Sequence, residues 1–245
     1  MISRASIQNI ETMNSAGLKT TTGNSSKEIS DKNSFFVINV FGAPLYEKPS
    51  LNSKLIKRIA VGEKIVAEHI IETKQSIHIG EGFQLQGDFI KVKNQFYSGF
   101  IHSSDLTTFR PQLESIYNGI VIPDFKGKMI HKTTDKRIET CNDKSFEIEE
   151  EIITYDHLIH TYTDFDDCFE NTYLYKHMTL HEVYHQLPVH NPKIDVTSKG
   201  NFILMPEFIE KKDNKYIFKG IGITRNIAII KNQDGLFLIS SLDCP

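Results

Sequence analysis

The chain has 245 residues with a formal net charge of −3, long enough for one large or two small domains. Hydrophobic residues at 39% and charged residues at 24% are ordinary for a soluble globular protein, and the slightly acidic balance gives no footprint for DNA or RNA. No apolar run approaches the roughly 18 to 20 residues needed to cross a bilayer as a helix.

In chain order, Met1 to Asn33 is rich in Ser, Thr, Asn and Lys, with few large apolar side chains to offset the entropy of ordering. It is expected to be a disordered leader, with a short helix possible around Ser6 to Asn14. It carries no signal-peptide core. Two locations follow: cytoplasmic, or periplasmic and cell-envelope if an export signal or lipid anchor was removed ahead of this polar spacer.

From Phe36 to Thr107 short β-branched or aromatic runs alternate with turn residues. Val37 and Val40 lead into a Pro-rich turn. Leu55, Ile56, Ile59 and Val61 follow, then a Gly62 turn, the run Ile65 to Ala67, and the strands Gly87 to Val92 and Ser98 to Leu106. Between Glu68 and Gln86 an excursion with Gly80-Glu-Gly82 reads as an extended hairpin reaching away from the rest. So many strands in about seventy residues predict a small β-barrel spanning 34–109.

The order of the punctuation resembles the bacterial SH3-type domain. The matching pieces are Leu45-Tyr46, Pro49-Ser50, Ser53, Gly62, Gly87 with Phe89 and Lys91-Val92, and Gly99-Phe100-Ile101 with Leu106. Two departures stand out: the family's usual Trp positions hold Phe89 and Phe100, and the excursion is longer than the family's hairpin. The resemblance covers less than a third of the chain. It implies binding of peptides, commonly of cell-wall origin, in an aromatic groove, for which Tyr46, Phe89, Tyr97 and Phe100 are the candidates. The alternative for Phe89 and Phe100 is that they are barrel core.

Pro111 marks a linker near Phe109 to Leu113, across which the two parts are expected to fold separately. Beyond it the chain reads as an α+β domain over 113–245, mostly antiparallel strands with one main helix. Expected strands are Lys128 to Lys132, Arg137 to Thr140, Phe146 to Tyr155, Leu158 to Thr163 and Asn171 to Lys176. After the helix come Phe202 to Met205, Phe208 to Lys211, Lys215 to Phe218, Ile221 to Thr224, Asn226 to Lys231 and Leu236 to Leu242. The acidic turn Thr163 to Glu170 lacks the Gly and the twelfth-position Glu of a calcium loop, and reads as solvated. Of the three Cys (Cys141, Cys168, Cys244), free buried thiols are expected, with a Cys141 to Cys168 bridge as the option in an oxidising compartment.

The helix is expected over Thr179 to Leu187, with Thr179 as N-cap, Glu182 three residues on as in a capping box, and Leu180, Val183, Tyr184 and Leu187 at helical spacing before Pro188. It contains His181-Glu182-Val183-Tyr184-His185. H-E-x-x-H puts two imidazoles one turn apart to hold Zn²⁺, with the Glu as general base, and looks like the zincin metalloprotease signature. The third ligand is not in place: His190 falls one residue short of the extended spacing, and no downstream helix supplies a Glu. The other reading is a docked amphipathic helix with its His residues on the wetter edge.

The expectation is therefore a non-enzymatic binding protein without a cofactor, taking a peptide, peptidoglycan fragment or protein partner. One alternative is an immunity or inhibitor protein that neutralises a bacterial toxin. A second is a zinc-dependent hydrolase with Glu182 catalytic and His181, His185 and His190 on the metal.

Overall fold

The structure is a computed structural model that describes residues 33–116, 119–141, 144–165, 168–197 and 200–244. The predicted leader and its helix, together with Asp166 and Asp167 of the acidic turn, lie outside these residues.

Seven strands form the first sheet: β1 (Ser34–Val37), β2 (Ala43–Tyr46), β3 (Leu55–Ile59), β4 (Lys64–Gly80), β5 (Phe83–Lys93), β6 (Ser98–His102) and β7 (Leu106–Thr107). Their order is β3-β2-β6-β5-β4-β1-β7, and the sheet curls into a half-barrel. Alternation along each strand sends Val37, Leu45, Ile59, Ile65, Ile90, Val92, Ile101 and Leu106 inward as one closed cluster. Gly42, at φ +77°, makes the turn before β2 where a β-carbon would strike the Ile59 carbonyl at 2.7 Å.

The hairpin β4 to β5 is the expected excursion. Its ladder is interrupted by a bulge between Ile71 and Gln75. There Asp88 Oδ1 accepts the amides of Thr73 (2.9 Å) and Lys74 (3.0 Å) while Lys74 takes a positive φ of 49°. Beyond the bulge the hairpin leaves the half-barrel, and its tip buries Phe83 and Leu85 in a second core.

The hairpin β8 (Gln112–Ser115) and β9 (Val121–Asp124) occupies the linker region. The second sheet takes β10 (Met129–Cys141), β11 (Lys144–Tyr155), β12 (Leu158–Phe165) and β13 (Cys168–Tyr175). Two short helices follow, α1 (Leu180–Tyr184) and α2 (Leu187–His190), then the separate hairpin β14 (Lys193–Thr197) and β15 (Gly200–Leu204). Strands β16 (Phe208–Lys212), β17 (Lys215–Lys219), β18 (Thr224–Lys231) and β19 (Phe237–Asp243) complete an eight-stranded antiparallel sheet, β10-β11-β12-β13-β19-β18-β17-β16. The mainly β fold with antiparallel sheets and little helix is as the sequence predicts.

Four details differ from expectation. The two strands predicted at Lys128 to Lys132 and Arg137 to Thr140 are one, β10, because its pairing with β11, continuous from His131 to Cys141, carries the chain through the polar middle. Residues 221–223, predicted as a strand, form a turn ahead of β18, with Gly222 at φ +66°. Pro188 does not end the helical segment; it lies in the first turn of α2, where a missing amide costs nothing. Cys168 is bonded to Cys244 rather than free or paired with Cys141. Strand pairing explains this: β13 and β19 place Phe169 opposite Asp243, so the residues just beyond, Cys168 and Cys244, are neighbours.

The second core draws on both sheets. Ile38, Phe83 and Leu85 from the first pack with Leu158, Tyr175, Phe218, Ile227, Ile229 and Ile239 of the second and with Val183, Tyr184 and Leu187 of the helices. The Phe83 ring lies 4.5 Å from Tyr216 and edge-on to Tyr184 at 5.5 Å. Gly80 lets this happen: a β-carbon there would sit 2.2 Å from the Phe208 ring.

Candidate functional site

Helix α1 starts as its sequence requires. The Glu182 carboxylate accepts from the Thr179 amide (2.8 Å) and hydroxyl (2.7 Å), which closes the first turn. That use occupies the carboxylate that the hydrolase reading needs as a base. The two histidines of the motif differ in exposure: His181 is half-buried, while His185 is only 4% exposed, because α1 is enclosed by the second core on one side and the Ser103 to Asp105 turn on the other.

The three candidate ligand histidines have separate neighbours. His185 Nε2 lies 3.1 Å from the Ser104 carbonyl and 3.6 Å from Asp105 Oδ1. The His181 ring sits 3.2 Å from Thr179 Oγ1. His190 is bonded to the Tyr175 hydroxyl at 2.6 Å and stacked on Tyr173 at 3.6 Å. Among the described residues no three His, Cys, Asp or Glu side chains are grouped to hold a metal ion.

Burial dominates the electrostatics. It lowers His185 to about 3, helped by the nearby His181 charge and opposed by the Ser104 bond. His185 is therefore neutral beside Asp105, and the contact is not an ion pair. Burial also raises Asp105 to about 6, opposed by the Asn39 hydrogen bond (2.7 Å) and the Arg58 charge. A second buried histidine, His102, pairs with Ser104 Oγ at 2.7 Å and Gln75 O at 3.1 Å, tying the turn to the β4 bulge.

Asp105 lies at the floor of a cleft in the first sheet. This cleft, about 460 Å³, is walled by Phe41, Pro44, Tyr46, Leu51 and Ile77, with Arg58 on its exposed rim. A smaller hollow of about 150 Å³ shares Asn39, Phe41, Ile77 and Asp105 and runs toward Tyr184, His185 and Met205. The cleft is built within the first sheet: β2 supplies Pro44 and Tyr46 and the β4 arm supplies Ile77 and His78, while α1 reaches only the smaller hollow.

Of the four aromatic candidates, only Tyr46 lines the cleft. Burial raises its hydroxyl, with the Asp105 charge adding to this. Phe89 is 0% exposed, edge-on to Tyr46 at 5.9 Å and to His102 at 5.3 Å, so it backs the cleft wall without presenting a face. It is not part of the half-barrel's inner cluster; in β5 it is Ile90 and Val92 that point inward. Phe100 is half-buried beside Tyr46 in the β2–β6 pairing and is capped by Lys91 Nζ, 4.4 Å from its centroid. Tyr97 is engaged elsewhere, donating to Glu63 Oε1 at 2.7 Å under Lys57.

Sequence reading missed Phe41, Pro44, Arg58 and Asp105 as site residues. Pro44 and Phe41 stood in the turn that was noticed; Arg58 and Asp105 gave no local signal, since only the packing of β3 and the 103–105 turn brings them together. No family model, curated protein or solved structure matches the chain.

Proposed function

We propose that the chain is a binding protein whose ligand is a short peptide of cell-wall origin, held in the cleft formed by the first sheet and its β4 arm. The observation that carries this is the cleft lining: an aromatic and proline wall of Phe41, Pro44 and Tyr46 beside Leu51 and Ile77, with the Arg58 guanidinium at the rim to take a carboxylate. An extended segment suits such a surface, since rigid rings bind it at low entropic cost while the cation fixes its register. The resemblance of 36–107 to SH3-type domains points to the same ligand class. The Cys168–Cys244 bond fits an oxidising compartment and so a periplasmic or cell-envelope location.

The test is calorimetric titration of the full chain with soluble wall stem peptides. Tyr46→Ala is expected to weaken binding by about tenfold or more. Phe96→Ala, at an 80% exposed position outside the cleft, is expected to leave it unchanged. Absence of binding to any wall peptide by the unaltered chain would contradict the proposal.

A further inference from the structure

The smaller hollow beside the cleft is apolar over most of its wall. Ile77, Ile79, Leu85 and Met205 line it, with Phe41 on the side shared with the cleft. Two acceptors stand among them. Asp105, 3% exposed, accepts one side-chain hydrogen bond among the described residues, from Asn39 to Oδ1 at 2.7 Å. No Lys or Arg among these residues forms an ion pair with it, and Arg58 gives its Nη1 to the Gly42 carbonyl at 3.0 Å instead. The second acceptor is His185, 4% exposed, with Nε2 3.6 Å from Asp105 Oδ1. Because Nε2 faces the Ser104 carbonyl, which can only accept, that nitrogen carries the proton and Nδ1 holds a bare lone pair. Among the described residues Nδ1 has no hydrogen-bond partner.

A buried carboxylate is costly unless a cation or several donors meet it, and a buried acceptor left alone is costly too. Both groups line one hollow, and the chain supplies them with a single neutral donor between them, apart from the backbone contact of Nε2. We infer that this hollow receives an ammonium group of the ligand, carried on an aliphatic side chain of lysine type that enters from the cleft. The inference deepens the reading of the cleft as a peptide groove and rests on it.

Charge, donor count and size agree with such a group. An ammonium brings three donors and a positive charge on a flexible four-carbon stem. Asp105 supplies the opposite charge, His185 Nδ1 a further acceptor, and the aliphatic wall a dry bed for the stem. Burial holds the Asp105 carboxyl up to about 6, which still leaves it mostly ionised at neutral pH. A volume of about 150 Å³ is that of a cavity that takes benzene, so a butyl stem with its nitrogen is accommodated. Asn39, Phe41, Ile77 and Asp105 line both spaces, so a side chain reaches the hollow from a backbone lying along Pro44 and Tyr46. Arg58 lines the cleft and not the hollow, and the two opposite charges then set the direction in which the peptide lies.

The test is calorimetric titration of the full chain with a wall stem peptide that contains lysine, and with the same peptide carrying norleucine there. Norleucine keeps the four-carbon stem and removes the nitrogen. The lysine peptide is expected to bind about 30-fold or more tighter. Asp105→Asn, which keeps the shape of the side chain, should bring the lysine peptide down to the affinity of the norleucine peptide and leave the latter unchanged. Nitrogen NMR of the parent supplies a readout that needs no variant: the His185 Nδ1 resonance should shift with the lysine peptide and not with the norleucine one. Equal binding of the two peptides overturns the inference while the peptide reading stands. A lysine preference that survives Asp105→Asn, or an Nδ1 resonance that the lysine peptide leaves unmoved, overturns it as well. If neither peptide binds, the peptide reading falls and n-butylamine decides the hollow. Binding of the amine that Asp105→Asn abolishes then supports the ammonium site, and absence of binding overturns it.

Discussion

The two cores of this molecule are assembled differently. The half-barrel core is made wholly within 37–106, from short strands joined by tight turns. The second core takes Ile38, Phe83 and Leu85 from one end of the chain and residues up to Ile239 from the other. Local pattern alone specifies the first, since each strand's alternation and each turn residue points to the same arrangement. The second takes shape because a hairpin grown from the half-barrel carries Phe83 across, so its stability depends on contacts remote in sequence.

Breaking that bridge should have the largest effect. Phe83→Ala removes a ring enclosed by Tyr184, Phe208, Tyr216 and Phe218 and is expected to cost about 3 to 5 kcal/mol in urea unfolding. A fragment ending near Phe109 exposes the same side chain together with Ile38 and Leu85, and should aggregate or bind a hydrophobic dye where the full chain does not. Cys168→Ser opens a bond spanning 76 residues and should lower stability by about 2 to 5 kcal/mol, an effect that reductant reproduces in the parent and not in the variant.

Where the 103–105 turn meets α1 the expected effect depends on pH. The folded state holds the Asp105 proton up to about 6, above an ordinary carboxyl, so its contribution is fully present below about pH 4 and is lost as pH rises through 6. His185, lowered by burial, acts in the opposite sense, its contribution present above about pH 6.5 and lost as pH falls toward 3. Comparing the parent with Asp105→Asn isolates the first group. The variant should gain about 2 to 3 kcal/mol relative to the parent between pH 4 and pH 8; a parallel pair of stability curves would show that Asp105 titrates normally. The smallest effect belongs to Glu182→Gln, which alters only the cap on Thr179 and should cost at most about 1 kcal/mol by thermal melting.

The sequence was most legible where structure is local. Gly62, the Pro49-Ser50 turn and the alternation of Ile90 and Val92 mark the half-barrel strands, and Thr179 with Glu182 marks the start of α1. Spacing alone decides less where three-dimensional neighbours matter. His181, Glu182 and His185 match a metal motif by sequence, yet Glu182 caps its helix and His185 turns to the Ser104 carbonyl. Cys168 finds Cys244 through strand pairing that no Cys spacing reveals. The cleft was half legible: Tyr46 was identified from its motif, while Arg58 and Asp105 join it only through the curl of the first sheet.

The most direct test of the shared core is equilibrium urea unfolding followed at once by two reporters. One is a fluorophore at a half-barrel surface site such as Phe96→Cys; the other is at Ile138→Cys on the second sheet, with the native bond intact. Because the residues from Asn33 onward form one compact unit joined through Phe83, the two curves are predicted to coincide with a single midpoint. Two separated midpoints, with the half-barrel signal unchanged while the second sheet melts, would contradict it.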